Sequence, residues 1–586
     1  MATDDRFVEA ADLESLRDEG RTLVSEGGRH IALFHHEDEV YAVDNRCPHM
    51  GFPLSDGTVD EGVLTCHWHH ARFELSCGDT FDPWADDVQT FPVEVRDGMV
   101  YVDPDPEPDV PPETHWRNRL ADGLQEDIPL VMAKAIIGLD AAGVDYSVPL
   151  GTVVDFGTTY RRAGWGSGLT IATAMANVLD DFDAADRRRA LFTGARHVAD
   201  DCAGEPPRFP QHPLSTTSVS KDRLKKWLRD AVEVRDSDAA ERTLRAAVAH
   251  LDAADVAELL VAAATDSIFL DTGHTFDFLN KAFEVLDHVG ASEREESDPD
   301  RMADVLASTV ESLTDATRSE ELSSWRQPID LAALRFAFED DLPDLRANGD
   351  ADSWDRPEDF VETLLSDDPH DIDDAIRSAV RDGATPADLA TPVTTAAMRR
   401  VVQFSTANEF SDWNTVHHTF TYANAVEEMA RRTDADELYR AVYDGAMRVY
   451  LNRFLNMPSA PIPEPSETDR DPETIRAALL ETFDVEGEVD RATKLAGEYL
   501  DAGGDPAVLM ESLGHALLRE DAGFHTLQAV EAGFRQFDRS DSETRRRLAV
   551  LAPTRYMAAH FPTRRENEQT FTIAARLHRG ERIHEN

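Results

Sequence analysis

The sequence predicts a two-part protein, with a small all-β domain followed by a large all-α domain built from degenerate helical repeats. Residues 1–104 hold short β-branched and aromatic runs between turns, and residues 105–113 are rich in proline and acid. From residue 114 to 586, apolar residues recur at i, i+3 and i+4, the spacing of amphipathic helices. We therefore expect three segments with these bounds.

Short strands are predicted throughout the first segment. Residues 30–35 and 40–43 are apolar runs of strand length, and Arg96-Asp97-Gly98 has the composition of a hairpin turn. These features predict antiparallel sheets.

The second segment predicts a domain boundary. Its alternating prolines and carboxylates favour an extended, self-repelling chain, which is typical of a stiff linker.

A degenerate repeat is visible in the third segment. One motif marks helix ends, at residues 139–143, 251–254 and 500–504, with a weaker copy at 381–384. A second helix and a turn follow each end, and then comes a similar string: His274-Thr275-Phe276, His418-Thr419-Phe420, His525-Thr526-Leu527, and Leu169-Thr170-Ile171 in the first copy. We expect each string to open a helix, and the four units to stack or to close around one axis.

Two cysteine–histidine pairs carry the clearest chemistry. Cys47 and His49 are spaced C-x-H, and Cys66 and His69 are spaced C-x-x-H. Two thiolates on one iron and two imidazoles on the other hold a Rieske 2Fe-2S cluster. The alternatives are two unrelated pairs that arose by chance, a zinc site, and buried thiols beside hydrogen-bonded histidines.

The flanks of these pairs make residues 5–104 resemble the Rieske ferredoxin family, which includes ferredoxin components of oxygenases and the small subunit of assimilatory nitrite reductase. Matching residues are Gly51, Pro53, Leu54, Gly57, Phe73, Gly78, and the strands at 91–95 and 99–102. The resemblance implies that Cys47 and Cys66 bind the inner iron, and that His49 and His69 bind the solvent-facing iron. His70, next to His69, is the alternative ligand.

Four positions distinguish this chain from the respiratory-chain branch of that family. Phe52 and Trp68 stand where that branch has a disulfide, and Ala71 and Phe73 stand where it has hydroxyl groups that donate to the cluster. Fewer donors stabilise the reduced cluster less, so we expect a potential in the lower part of the ~−150 to +300 mV Rieske range.

The three repeated histidines are the candidate catalytic residues. His274, His418 and His525 occupy equivalent positions, each with an acidic residue upstream: Asp271, Asp412 and Asp521. They could converge on one cavity and bind iron, another metal or a substrate. Alternatively, they pack behind capped helix starts and need one hydrogen bond each.

Two further resemblances concern the helical part. Rieske oxygenases hold a mononuclear iron with Asp-x-x-His-x-x-x-x-His, but Leu279 stands where Asp271 and His274 would require the second histidine. The strings 271–287 and 412–428 are similar to helical segments of the questin oxidase-like family, which oxygenates aromatic polyketides. That resemblance implies an oxygenating enzyme.

Composition predicts the environment. The net charge is −56, with only six lysines beside 52 arginines. Such an acidic surface is typical of haloarchaeal proteins and argues against a nucleic-acid partner.

The N-terminus lacks signal-peptide character and no apolar stretch is long enough to span a bilayer, so we expect a cytoplasmic protein with no membrane partner. Cys77 and Cys202 are expected to be unpaired thiols.

The sequence therefore predicts an oxidoreductase whose cluster passes single electrons to oxygenating chemistry in the helical domain. The alternative is a non-catalytic carrier or redox sensor with a helical docking scaffold. Gly164-Trp165-Gly166-Ser167-Gly168 has no preceding strand, so we expect no bound NAD or flavin. Expected partners are a ferredoxin or flavoprotein reductase that donates electrons, and a small-molecule substrate.

Overall fold

A computed structural model of the chain describes residues 6–581, except 27, 109, 216–218, 291–298 and 348–353, and also describes residue 583. These residues divide into two compact units. One contains the residues up to Thr152 together with those from Glu566 onward, and the other runs from Val153 to Arg565.

The N-terminal part is a small β domain, as predicted. Its described strands are β1 Val8–Asp12, β2 Arg21–Glu26, β3 Arg29–His36, β4 Glu39–Asp44, β5 Thr58–Asp60, β6 Val63–Thr65, β7 Arg72–Glu74, β8 Val93–Arg96 and β9 Met99–Val102, and helix α1 is Leu13–Glu19. They form three antiparallel sheets, ordered β1-β9-β8, β2-β3-β4 and β5-β6-β7. The predicted turn joins β8 to β9, where Asp97 and Gly98 take φ values of 50° and 83°.

The rest of the described chain is helical, which confirms the predicted fold class. Helices up to residue 326 are α2 Pro112–Gln125, α3 Pro129–Ala141, α4 Ser147–Thr159, α5 Ser167–Asn177, α6 Ala184–Cys202, α7 Lys221–Glu233, α8 Ser237–Val248, α9 Ala253–Thr265, α10 His274–Val289, α11 Pro299–Ala307, α12 Val310–Thr314 and α13 Ser323–Arg326. Those that follow are α14 Leu331–Ala347, α15 Phe360–Leu364, α16 Pro369–Arg381, α17 Pro386–Val402, α18 Trp413–Arg432, α19 Leu438–Leu451, α20 Pro472–Thr482, α21 Val489–Asp501, α22 Pro506–Leu518, α23 Phe524–Asp538, α24 Glu543–His560 and α25 Glu566–His578. None of the helices in this part of the chain is long and apolar enough to cross a membrane.

The compact units have different limits from the three predicted segments. α2 begins at Pro112, inside the predicted linker, and residue 109 of that linker lies outside the described residues. α2, α3 and α25 belong to the same unit as the β domain. Arg119 of α2 and Lys134 of α3 bond to carbonyls of the β domain, and α25 packs on α3. The domain boundaries at 104/105 and 113/114 stay predictions from the sequence.

The second unit is organised around four helices. α5 packs against α10 and α23, and α18 also packs against α10 and α23, so the four close into a ring. Each of these helices carries one of the four similar strings of the repeat. The repeat therefore corresponds to four helices around a common axis.

Candidate functional site

The two cysteine–histidine pairs lie on two loops of the β domain with the same backbone design. Cys47 N donates to Phe52 O at 2.8 Å and Cys66 N donates to Ala71 O at 2.8 Å, so each loop closes five residues after its cysteine. Four residues after each cysteine stands a left-handed residue, Gly51 with φ 82° and His70 with φ 66°. The fourth position thus reverses the chain in both loops, which is why a glycine suits it.

The thiols face each other in the core of the domain. Cys47 and Cys66 are 2% and 1% exposed and pack in one apolar cluster. The hydrogen bond with the Cys47 thiol lowers the pKa of Cys66 to about 6, and the same bond raises the pKa of Cys47. One thiolate forms readily in this pair, and thiolates are the ligands that iron–sulfur clusters require.

The imidazoles lie at the outer side of the thiols. The rings of His49 and His69 are 4.8 Å apart, with His49 half-buried and His69 exposed. Burial lowers the pKa of His49 to about 4, so this imidazole is neutral near pH 7. Its Nδ1 is buried without a hydrogen-bond partner. A buried ring nitrogen on a neutral imidazole, with no hydrogen-bond partner, is available to bind a metal, so the residues present fit a 2Fe-2S cluster.

The positions that differ from the respiratory-chain branch are filled by apolar packing. The rings of Phe52 and Trp68 lie 6.1 Å apart, one on each loop. Ala71 and Phe73 are fully buried, and their side chains have no hydroxyl to donate. The loops are therefore joined here by an aromatic contact.

Helix α3 supports the first loop from beneath. Lys134 is only 8% exposed, and its Nζ donates to the carbonyls of Pro48 and of His49, the latter at 3.2 Å. Burial lowers the pKa of Lys134 to about 8. The cation is held at the backbone of a proposed ligand, where its charge acts on the site.

Helix α2 supports a neighbouring segment in the same way. Arg119 donates to Pro83 O at 2.9 Å and to Ala85 O at 2.6 Å. Between these two carbonyls lies Trp84, whose ring centre is 4.7 Å from that of His49.

Asp86, Asp87 and His115 also lie close together, but Asp86 pairs with Arg119 at 3.2 Å and with His115 at 3.3 Å. We therefore interpret the cluster of Asp86, Asp87 and His115 as part of an ion-pair network with Arg119 and not as a metal site.

The second candidate site lies in the four-helix ring. His274, His418 and His525 each offer a ring nitrogen, and these three atoms all lie within 4.8 Å of one another. His418 Nε2 and His525 Nε2 are 3.0 Å apart. Two nitrogens bound at ~2.1 Å to one ion stand about 3.0–3.4 Å apart, so this spacing suits a shared metal. It also suits a hydrogen bond between two neutral imidazoles.

Electrostatics keep these three rings neutral. Burial lowers the pKa of His274 and of His525 to about 4, and burial with the neighbouring rings lowers the pKa of His418 to about 2. Neutral imidazole is the form that binds metals. The upstream acids do not join them, since no carboxylate in the described residues belongs to this group.

Side-chain capping is present upstream of one of the three helices, where Asp412 forms a capping box with Glu409 before α18. The starts of α10, α18 and α23 have no side-chain cap bond. His274 opens α10 and His525 is the second residue of α23, as expected, but His418 lies in the second turn of α18. The expectation that His418 opens its helix is wrong, because a capping box between Glu409 and Asp412 starts the helical turns earlier.

The turn before His274 is an unusual backbone. Phe269, Asp271, Thr272 and Gly273 have φ values of 42°, 45°, 57° and 100°. Non-glycine residues in this region are strained and cluster at functional sites. The turn thus fixes where His274 enters α10.

Buried polar residues fix the helices below the histidines. Lys281 on α10, 1% exposed, donates to Glu284 at 2.8 Å and to Glu531 on α23 at 2.7 Å. Asn177 on α5 donates to the same two carboxylates at 2.7 and 2.8 Å. Arg535 on α23 adds contacts to Glu284 and Glu428. Charged side chains therefore connect α10 and α23, one to three turns after His274 and His525.

Further residues lie near the three histidines, and only one of them, His417, was marked by the sequence. His417, whose doubling with His418 was visible, is 1% exposed, and its ring lies 5.0 Å from His525. A cavity of about 310 Å³ opens beside His525; its lining includes Asn414, Phe524, Tyr556 and His560. Tyr556 and His560 are distant in sequence from the histidine strings, so only packing reveals them.

Comparison with known proteins gives matches to small electron carriers. The family model described as Rieske [2Fe-2S] domain matches residues 6–92. A ferredoxin component of naphthalene 1,2-dioxygenase/salicylate 5-hydroxylase systems from Ralstonia sp. is 32% identical over 95 residues, which are 16% of this chain and 91% of that protein. The 3-phenylpropionate/cinnamic acid dioxygenase ferredoxin subunit of Photorhabdus laumondii is 40% identical over 74 residues, 12% of this chain and 70% of that protein. The solved ferredoxin of carbazole 1,9a-dioxygenase from Nocardioides aromaticivorans shares 26% identity, covers 17% of this chain and 98% of its own, and has a TM-score of 0.16.

Proposed function

Because this chain belongs, through residues 6–92, to the Rieske [2Fe-2S] domain family, we propose that it is an oxidoreductase that delivers electrons to chemistry in its own helical part. Its Rieske domain binds a 2Fe-2S cluster, and the relatives of that domain are ferredoxin components. The observation that carries the proposal is the convergence of His274, His418 and His525 within 4.8 Å.

Four residues would hold the cluster. Cys47 and Cys66 would supply the thiolates, and His49 and His69 the imidazoles, in keeping with the unpartnered Nδ1 of His49. When bound, such a cluster accepts and releases one electron at a time. Lys134 orients the loop of His49 through the Pro48 and His49 carbonyls.

The three repeated histidines would hold a metal ion, and imidazole suits iron, copper, nickel and zinc. When bound, a redox metal would accept electrons and polarise a bound molecule. Their low pKa values keep all three imidazoles free of protons near neutral pH. Gln528 Nε2 donates to Asp277, and Gln528 Oε1 lies 3.5 Å from Nε2 of His417, the residue before His418.

The class of reaction that we favour is oxygenation of a small molecule. The strings 271–287 and 412–428 resemble the questin oxidase-like family, and both contain candidate histidines. The cavity of about 310 Å³ beside His525 has room for a small substrate. Tyr556 Oη, which donates to Asn414 at 3.0 Å, places a polar group in its lining.

The electron donor in this proposal is a separate ferredoxin or flavoprotein reductase. The comparison supports it, since the relatives are described as components of oxygenase systems. We also propose a haloarchaeal type of protein, on the net charge of −56 and the scarcity of lysine. The cytoplasmic location expected from the sequence stays a prediction.

Metal analysis of the anaerobically purified full chain tests the proposal. We expect iron, or iron plus a second metal, to exceed two ions per chain, and the excess to disappear in His525→Ala. The reduced protein should also show the rhombic paramagnetic resonance of a Rieske cluster. Two irons per chain with no further metal would favour the second candidate function, a carrier or sensor in which His418 and His525 share a hydrogen bond.

A further inference from the structure

Arg448 is a half-buried cation of the second unit whose guanidinium faces an aromatic ring and no carboxylate. It lies on α19, and no hydrogen bond or ion pair to its guanidinium is found among the residues that the structure describes. Its Nε is buried and unsatisfied. Burial lowers the pKa of Arg448 to about 10, and no carboxylate offsets that effect.

Other buried arginines of the same unit show what a satisfied guanidinium looks like here. Arg335, fully buried, donates to Asp444 at 3.2 Å and to Thr265 O at 2.6 Å. Arg400 of α17 donates at 3.1 Å to the carbonyl of Val449, which follows Arg448 on α19. A partly desolvated charge without an ion pair is costly, which favours a functional reason for keeping it.

The surroundings of Arg448 lead directly to the three histidines. Its guanidinium carbon lies 5.4 Å from the ring centre of Phe269. A Cβ on Gly273 would stand only 2.9 Å from that ring, so Phe269 packs on the residue just before His274. Phe269 also contacts Tyr422, one turn after His418, with the ring centres 4.7 Å apart.

One aromatic pair, Phe269 and Tyr422, therefore connects the guanidinium of Arg448 to the helix that carries His418. Arg448, His274 and His418 are each half-buried, which leaves part of every side chain accessible.

We propose that Arg448 binds a carboxylate group of a monoanionic molecule that occupies the three-histidine site. The planar guanidinium matches a carboxylate with two parallel N–H···O bonds. A single cation suits a single negative charge, because Lys281, the lysine of α10, already bonds to Glu284 and Glu531. The proposal takes the location of the site from the proposed function, but anion binding by Arg448 does not need a metal.

The test is anion binding by the full chain, with benzoate as the probe and benzamide as its neutral isostere. Calorimetry and thermal unfolding are run at constant ionic strength in potassium chloride, on metal-free and on metal-loaded protein. We expect benzoate to bind and to raise the melting temperature of the wild type, and benzamide to do neither. Arg448→Met should weaken benzoate binding at least tenfold, and Arg448→Lys should weaken it less, because lysine keeps the charge without the fork.

Arg453→Met is the matched control. It removes the same charge from the segment just after α19, where Arg453 bonds Tyr450 O at 3.1 Å, and it should leave benzoate binding unchanged. A second readout guards against misfolding: without benzoate, Arg448→Met should melt no lower than the wild type, whereas Arg335→Met should melt lower.

Equal benzoate affinity in wild type and Arg448→Met would overturn the proposal, and so would no benzoate binding at all. Binding of inorganic phosphate but not benzoate would replace the carboxylate class with phosphate. If the histidines hold no metal but benzoate still binds through Arg448, the proposed function fails and the anion site stands.

Discussion

His418 Nε2 and His525 Nε2 lie 3.0 Å apart, although 107 residues separate them in the sequence. Their helices, α18 and α23, are neighbours in the four-helix ring. The pair therefore depends on the closing of the ring, and changes that loosen the ring should separate the two imidazoles.

The first prediction tests this group of histidines. His274→Ala, His418→Ala and His525→Ala should each lose the same additional metal, or the same activity, because one ion needs all three ligands. The Rieske signal should stay intact in every variant. His560→Ala is the control for metal content, which it should leave unchanged, since His560 lines the neighbouring cavity but does not belong to the group. Unequal losses, with only about 1 kcal/mol of stability changed in each variant, would indicate three separate packing residues.

A second prediction concerns the cluster ligands. His49→Ala and His69→Ala should abolish the rhombic paramagnetic resonance signal of the reduced protein, because each removes an imidazole from the outer iron. His70→Gly should keep the signal. Since His70 has φ 66°, glycine should also relieve backbone strain of roughly 1 kcal/mol. A signal that survives in His69→Ala and vanishes in His70→Gly would move the ligand to His70.

Lys134 should raise the reduction potential of the cluster. The reduced state carries one more negative charge, and the Lys134 ammonium stabilises it from the carbonyls of Pro48 and His49. We expect Lys134→Met to lower the midpoint potential by about 59 mV, a tenfold change for one electron, in a spectroscopic redox titration. Lys134→Arg keeps the positive charge and should change the midpoint potential much less. Lys226 is an exposed lysine of the other unit, and Lys226→Met should leave the midpoint potential unchanged. An unchanged potential in Lys134→Met, with full cluster content, would exclude this electrostatic role.

Lys281 should contribute strongly to the stability of the four-helix ring. Its removal leaves Glu284 and Glu531, 3% and 1% exposed, without their shared ammonium group. We expect Lys281→Met to lower the free energy of unfolding by about 3–5 kcal/mol in a denaturant titration. Lys226→Met removes an exposed pair with Asp230 and should cost about 0–1 kcal/mol. A similar loss of unfolding free energy in the two variants would show that Lys281 does not stabilise Glu284 and Glu531 in this way.

Salt should stabilise the whole protein. A net charge of −56 makes carboxylates repel one another, and at 1 M salt the Debye length is only about 3 Å. We expect the melting temperature to rise with potassium chloride up to molar concentration. The same melting temperature at low and at molar salt would remove the halophilic interpretation.

Much of the β domain could be predicted from the sequence, because its chemistry is local. The ligands of each proposed loop lie within four residues of one another, and the loop bonds from Cys47 to Phe52 and from Cys66 to Ala71 span five. Strands and hairpin turns also follow from short-range patterns. Such features survive in any packing, so reading them needs no tertiary information.

The four repeated helices were also visible, although their meeting point was not. Repetition of His274, His418 and His525 identified the residues, but whether they converge depends on which helices are neighbours. The ring of α5, α10, α18 and α23 decides this, because it makes α10, α18 and α23 neighbours and brings the three imidazoles together. The start of α18 was predicted too late, since the capping box of Glu409 and Asp412 lies outside the repeated string.

Only the tertiary structure reveals Lys134 and Arg448. Lys134 meets the carbonyl of Pro48 across 86 residues, and Arg448 stands over Phe269 from a helix more than a hundred residues away. Neither position belongs to a motif, because a buried charge is defined by what surrounds it. The sequence by itself determined the cluster loops, the helical repeat and the acidic surface, since these are patterns of neighbouring residues and overall composition. Packing decided which charges are buried and which are paired, because both depend on side chains that are distant in the sequence.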